Sequence, residues 1–300
     1  MTRRSLADAR ALLHVRSALL AWYSSGHRDF PWRRTSDPYA VLVSEVMLQQ
    51  TQASRVALRF PTFMERFPTV AALADASESE VLTAWSGLGY NRRALALRRA
   101  AALVAGAGWP RDVAALERMP GIGPYTARAL RSLAFGEPIG VVDTNVRRWL
   151  IRRFGLNPGS PPRDLQQLAD RLAGAGEAAD APAWTHASME FGAAVCASRA
   201  PRCQGCAIAE GCPSRTDPGR VPVPRQASFP GSDRARRGAL LRALANSPGH
   251  SLALAEAERL CPEPDFERIV SRLERDRLAH RSGARLRLGG PPEPAATIGS

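Results

Sequence analysis

Four cysteines, Cys196, Cys203, Cys206 and Cys212, stand in the pattern C-x6-C-x2-C-x5-C. Soft thiolates gathered in one short segment can converge on an iron–sulfur cubane. A structural zinc would accept the same four ligands, but it usually draws on two C-x2-C pairs and only one is present. Disulfides suit a small secreted scaffold, whereas this chain has 300 residues and no signal peptide. The pattern points first to a 4Fe–4S cluster, with zinc and free thiols as the other readings. Two carboxylates have contrasting settings. Glu45 lies among Val43, Val46, Met47 and Leu48, where desolvation raises a carboxyl pKa and keeps a proton on it. Asp143 follows the apolar Ile139–Val142 segment and opens a helix, whose N–H groups and positive end favour a carboxylate. Such a pair can protonate a leaving group and stabilise a cation, as in glycoside cleavage. The plainer readings are a partly buried structural acid and a helix cap.

The elements that must position these groups are helical. Leu6–Trp22, Tyr39–Arg55, Val70–Trp85, Arg92–Val104 and Tyr125–Phe135 carry apolar residues at three-to-four spacing. Asp37-Pro38, Gly87-Leu88-Gly89, Gly108-Trp109-Pro110 and Pro120-Gly121 mark loops, and Gly155–Arg163 connects two helices. Leu116–Ala127 reads as a helix end, a glycine turn and a new helix. Its Gly121 and Gly123 would present backbone N–H groups to a phosphate, with Arg128 and Arg131 following. The formal charge is +13 with a pI near 11.0, which points to a polyanionic partner such as nucleic acid. Every one of the 41 basic residues is arginine, since the sequence contains no lysine. No apolar run approaches the length of a membrane span.

Taken together, Phe30-Pro31-Trp32, Ser44–Gln52, Gly87-Leu88-Gly89-Tyr90, the glycine hairpin, Val141–Val146 and the cysteine run resemble the helix–hairpin–helix DNA glycosylases of the endonuclease III superfamily. The similarity spans roughly residues 10–215 and is greatest to the MutY-type adenine DNA glycosylases. It implies an all-α, two-lobed fold with one 4Fe–4S cluster. It further implies hydrolysis of the N-glycosidic bond of adenine mispaired with 8-oxoguanine or guanine in double-stranded DNA. By that resemblance Glu45 protonates adenine at N7 and later helps activate water, and Asp143 stabilises or traps the sugar cation at C1′. Tyr125, Asn145 and Glu190 would support the pair by hydrogen bonding. Arg28, Trp32 and Arg33 match positions around the extruded base, and Gln50, Thr51, Leu88 and Tyr90 match the part that enters the duplex. Arg199 and Arg202, inside the cysteine loop, would meet phosphate.

Bifunctional members of the superfamily use a lysine directly before the Thr-Ala of the hairpin to form a Schiff base. Tyr125 stands there, so the expected enzyme is monofunctional. The resemblance has two departures. The motif reads Asp143-Thr144-Asn145 where adenine glycosylases have Asp-Gly-Asn, and the chain is too short for the Nudix-like C-terminal domain of well-known members. In its place, Arg234–Asn246, Leu252–Leu260 and Phe266–Asp276 read as helices and Leu278–Leu288 as a hairpin turning at Ser282-Gly283, the outline of a winged helix. Cys261 lies outside the cluster spacing and reads as an ordinary thiol.

The expected organisation is 28–135 as a helical domain, 1–27 with 136–215 as a cluster domain, a linker over 216–233, a winged-helix-like module over 234–288 and a disordered tail over 289–300. A bacterial-type cytoplasmic monomer acting on mismatched or oxidised DNA follows. The alternatives are a same-fold glycosylase for thymine in T:G mismatches and a non-catalytic damage sensor. The thymine enzyme with this tyrosine lacks the acid at position 45, which sets Glu45 against that reading.

Overall fold

In the computed structural model, residues 8–219, 221, 231–262 and 264–291 are described. Most of the expected 216–233 linker and of the expected tail lies outside them. The first helices are α1 (Ala9–Ser25), α2 (Pro38–Leu48), α3 (Ala53–Arg66), α4 (Val70–Asp75), α5 (Glu78–Ala84) and α6 (Arg92–Ala107). They are followed by α7 (Val113–Glu117), α8 (Pro124–Phe135), α9 (Thr144–Phe154), α10 (Pro162–Ala173) and α11 (Ala181–Ala194). The C-terminal elements are α12 (Asp233–Asn246), β1 (Ser251–Ala253), α13 (Leu254–Leu260), α14 (Asp265–Arg275), β2 (Ala279–Ser282) and β3 (Arg285–Leu288).

Local chemistry explains where the long periodic runs break. The run Val70–Trp85 is two helices, because Ser77 and Glu80 form a reciprocal capping box that starts α5 afresh. The run Tyr39–Arg55 is also interrupted. The backbone turns at Gln50, which takes a left-handed φ of 58° before α3 begins.

The chain separates into two compact units, Met1–Glu45 with Pro110–Arg225 and Val46–Trp109 with Gln226–Ser300. This division differs from the one expected from sequence, since the glycine hairpin falls in the unit that carries the cysteines. The first unit is built on α1, α9, α10 and α11, whose apolar faces enclose Leu19, Trp149, Leu150, Leu172, Trp184 and Phe191. Trp149 meets Trp184 and Phe191 edge-on at 6.4 and 6.1 Å, the arrangement ring quadrupoles favour. Several arginines point inward here. Arg16, Arg148, Arg152 and Arg153 are buried and donate mostly to backbone carbonyls. Arg128 and Arg131, expected near phosphate, are engaged by Asp170 and Glu137. The excess positive charge is thus partly a structural resource, and the charge argument for DNA binding weakens accordingly.

In the second unit α4, α5 and α6 pack together, with Phe63 edge-on to Trp85 at 5.9 Å. The expected C-terminal helices and hairpin are present in this unit. A further short strand, β1, pairs antiparallel with β3 to give the sheet order β1-β3-β2. Three residues are too few for a readable alternation, which is why sequence pattern missed it. Cys261 is buried, and burial pushes its thiol pKa up. No helix among the described residues is long and apolar enough to cross a membrane.

Candidate active site

Glu45 sits on α2, a helix buried along most of its length, and is itself 3 % exposed. Burial pushes its pKa up to about 7, helped by the nearby Asp143 charge and opposed by a hydrogen bond with Tyr125. Its Oε2 has no hydrogen-bond partner. A buried carboxyl oxygen left unpaired costs on the order of 1–3 kcal/mol. The Tyr125 hydroxyl also lies 3.5 Å from the Met189 sulfur, and burial holds its pKa well above the ordinary value.

Asp143 caps α9. Its Oδ1 accepts from the Asn145 and Val146 backbone N–H groups at 2.9 and 2.6 Å, and its Oδ2 accepts from the Asn145 side chain at 2.7 Å. Burial raises its pKa above the ordinary value, outweighing these donors and the Arg148 charge. The helix end therefore does not lower the pKa as sequence reasoning anticipated. The donors nonetheless single out Asp143 as the carboxylate with both oxygens hydrogen-bonded, while Glu45 has one oxygen without a partner.

A second layer holds this pair, and sequence reasoning missed its main residue. Arg148 donates to Asn145 Oδ1 at 2.9 Å and to the carbonyl of Cys196 at 2.8 Å, joining the Asp143–Asn145 pair to the cysteine segment. Gly192 on α11 lies against Asn145, where an added Cβ would meet the Asn145 carbonyl oxygen at 2.6 Å. Gly192→Ala is therefore expected to displace Asn145 and slow catalysis about tenfold or more. Overpacking costs about 1–3 kcal/mol. Thermal melting beside single-turnover rates would separate the two effects.

The four cysteines line one pocket together with Trp149, Phe191 and Ile208. Arg152 donates to the Ala197 carbonyl at 2.7 Å, and Arg153 donates to Gly211 at 3.0 Å, so α9 fixes both ends of the loop. All four thiols are free. Among the described residues no group of three or more His, Cys, Asp or Glu side chains is arranged to hold a metal ion. The ring of thiols around an apolar-walled space has the donor chemistry for a larger group.

At the hairpin, Gly121 takes a φ of 76°, which favours glycine, and Gly123 precedes Pro124 at the start of α8 with no side-chain cap. A Cβ on Gly123 would meet nothing within 4 Å. Gly123→Ala is accordingly expected to leave the melting temperature nearly unchanged while weakening duplex binding several-fold, which anisotropy titration would read.

Comparison with known proteins places this geometry. Residues 43–174 match the HhH-GPD superfamily base excision DNA repair protein model. The adenine DNA glycosylase of Mycobacterium tuberculosis is 43% identical over 237 residues, covering 75% of this chain and 77% of that protein. The chain belongs to the MutY-type branch of this superfamily. The human adenine DNA glycosylase is 39% identical over 224 residues, covering 69% of this chain and 40% of that protein. The thymine/uracil-DNA glycosylase of Methanothermobacter thermautotrophicus is 32% identical over 203 residues, covering 65% of this chain and 90% of that protein. A thermostable thymine-DNA glycosylase structure superposes with a TM-score of 0.62 at 30% identity, over 69% of this chain and 99% of that one. A non-covalent endonuclease III–DNA complex superposes at 0.58 and 20% identity, over 69% of this chain and 96% of that one, and supports the fold. The protein is a base-excision DNA glycosylase, an N-glycosyl hydrolase.

Within this MutY-type frame the remaining expected residues divide. Glu190, expected to support the carboxylate pair by hydrogen bonding, bonds arginines. Arg28 holds it at 2.7 and 2.9 Å and Arg33 at 2.8 Å. Burial would raise the Glu190 pKa, but these hydrogen bonds outweigh it and the net direction is down. Glu190 thus organises the arginines, while Trp32 is buried and stacked on Phe30 at 4.8 Å. Thr144 is exposed and helical without a left-handed φ, so nothing at that position demands glycine. Arg199 and Arg202 are exposed on the cysteine loop.

In the second unit, Gln50 is exposed, and Tyr90 is 37% exposed with a left-handed φ of 49°. Leu88 departs from expectation. Its side chain is buried, and the loop presents Tyr90 instead. Arg93, unnoticed in the sequence, braces both segments. It donates to the Val46, Met47 and Gly89 carbonyls at 2.7–3.0 Å and to the Thr51 hydroxyl at 3.0 Å.

Proposed function

We propose that this glycosylase removes adenine mispaired with 8-oxoguanine or guanine in duplex DNA and leaves the strand uncut. The observation that carries this reading is Glu45, buried, titrating at about 7 and with one oxygen unbonded. Adenine departs well only when protonated. Glu45 gives its proton to N7 of the extruded base, the C1′–N9 bond breaks, and its electron pair leaves with adenine. Asp143, held by Asn145 and α9, stabilises the cation left at C1′. The ionised Glu45 then accepts a proton from the water that adds to C1′. Tyr125 bonds Glu45 and stands where a Schiff-base lysine would be, and the chain has no lysine to replace it. The 32% identical thymine/uracil-DNA glycosylase keeps thymine as the second reading, but Glu45 favours a base that needs an acid. The complete Glu45, Tyr125 and Asp143 set speaks against a non-catalytic sensor.

Four thiols lining one pocket, with only one C-x2-C pair among them, support one 4Fe–4S cluster bound by Cys196, Cys203, Cys206 and Cys212. When bound, the cluster would tie the loop carrying Arg199 and Arg202 into one body. Purified protein is expected to hold about four irons per chain, and Cys212→Ser to lose both iron and visible absorbance. The protein would act as a cytoplasmic monomer associated with the nucleoid. Single-turnover reaction with an end-labelled A:8-oxoguanine duplex, with and without hot alkali, tests the reading. Breaks only after alkali are expected; breaks before alkali would contradict the monofunctional assignment, and no breaks at all would remove adenine as the substrate.

A further inference from the structure

The C-terminal module, α12–α14 with its three-stranded sheet, lies beyond the residues matched by the superfamily model. Within its unit it is fastened to two places. Glu78 of α5 accepts from the Gly290 backbone N–H at 2.7 Å and pairs with Arg277 at 3.4 Å. Gly289 packs so closely that an added Cβ would meet Glu78 Cβ at 3.2 Å. Asp276 pairs with Arg237 of α12 at 2.6 Å and with Arg92, at the start of α6, at 3.6 Å. The second attachment lies two residues past Tyr90.

From this anchored position the module reaches the loop itself. Arg234 on α12 donates to the Tyr90 hydroxyl at 3.2 Å. The same ring lies under the Arg93 guanidinium, 5.4 Å from its centroid. Burial lowers the Arg93 pKa to about 10, which still leaves it charged at neutral pH. Tyr90 is therefore held at its ring face by Arg93 and at its hydroxyl by Arg234, while its backbone keeps a conformation that non-glycine residues seldom adopt. A lone surface arginine contact commonly contributes little to stability. Here it falls on a part-exposed aromatic whose loop is already fixed at its base, where restricting the last rotations matters most for binding.

We propose that the C-terminal module is a working part of the duplex-engaging site, supplying Arg234 as a positioning residue for Tyr90. The inference rests on the reading of Tyr90 as a residue that enters the DNA stack. Arg234 presets the ring, so that DNA binding does not have to order it.

A double-mutant cycle in the full-length protein tests this. Wild type, Tyr90→Phe, Arg234→Gln and the double variant are titrated against a duplex carrying a tetrahydrofuran abasic-site analogue. Each single variant is expected to bind about fivefold more weakly, as for loss of one charge-assisted hydrogen bond. The double variant should lie within about twofold of the weaker single, because both changes remove one contact. Arg234→Lys, which keeps a donor, should recover part of the loss, and melting curves confirm that all five proteins are folded. Losses that multiply in the double variant would mean that Arg234 meets DNA independently, and would overturn the proposal, as would an Arg234→Gln protein that binds like wild type. The abasic duplex has no base to excise, so failure of the adenine reading shows only in the excision assay.

Discussion

Asp143→Asn is expected to slow single-turnover base excision at least about a thousandfold, the scale of losing a preorganised charge at a developing cation. Binding to duplex DNA should change only a few-fold. Asparagine can still accept from the Asn145 and Val146 N–H groups and cap α9, although its NH2 then faces the Asn145 side-chain amide that Oδ2 accepts from. The melting temperature should therefore stay within a few degrees of wild type. Equal excision rates for the two proteins would leave Asp143 as a helix cap and nothing more.

Glu45→Gln carries the second large effect, a loss of about 10²–10⁴ in the single-turnover rate, the usual range for a general acid. The pH dependence gives a sharper signature. Glu45 gives a proton, so raising the pH through about 7 should lower the wild-type rate by about tenfold per unit. The glutamine variant should lack this limb. Stability follows the same titration. The folded-state pKa lies above the ordinary value, so the contribution of Glu45 is complete below about 4.5 and is lost as pH rises through about 7. Wild type should then lose melting temperature relative to Glu45→Gln across that window. A constant difference would mean that Glu45 is not the buried acid described.

The candidate residues were legible as candidates because chemistry restricts both type and spacing. Four cysteines in one segment, a glutamate in an apolar run and an aspartate opening a helix can be read without coordinates, and the structure groups Glu45, Tyr125, Asp143 and Asn145. The break between α4 and α5 was present in the sequence as Ser77-x-x-Glu80 but was hidden by the continuous apolar period. The break at Gln50 was not readable. Neither glycine nor proline marks it, and the residue that braces the segment, Arg93, lies on a different helix. Glu190 shows the same limit. A glutamate in a helix does not announce its partner, and Arg28 and Arg33 come from a distant turn. The arginine excess misled in another way, since composition cannot separate a phosphate-facing guanidinium from one such as Arg148, which bonds carbonyls inside the fold.

The most direct measurement identifies the released base. Wild type and Glu45→Gln are each incubated under single-turnover conditions with duplexes containing A:8-oxoguanine, A:G and T:G, and free bases are quantified by mass spectrometry. Free adenine from the first two duplexes with wild type, and almost none with Glu45→Gln, is the predicted result. Free thymine as the main product, or adenine release unchanged in Glu45→Gln, would contradict the account.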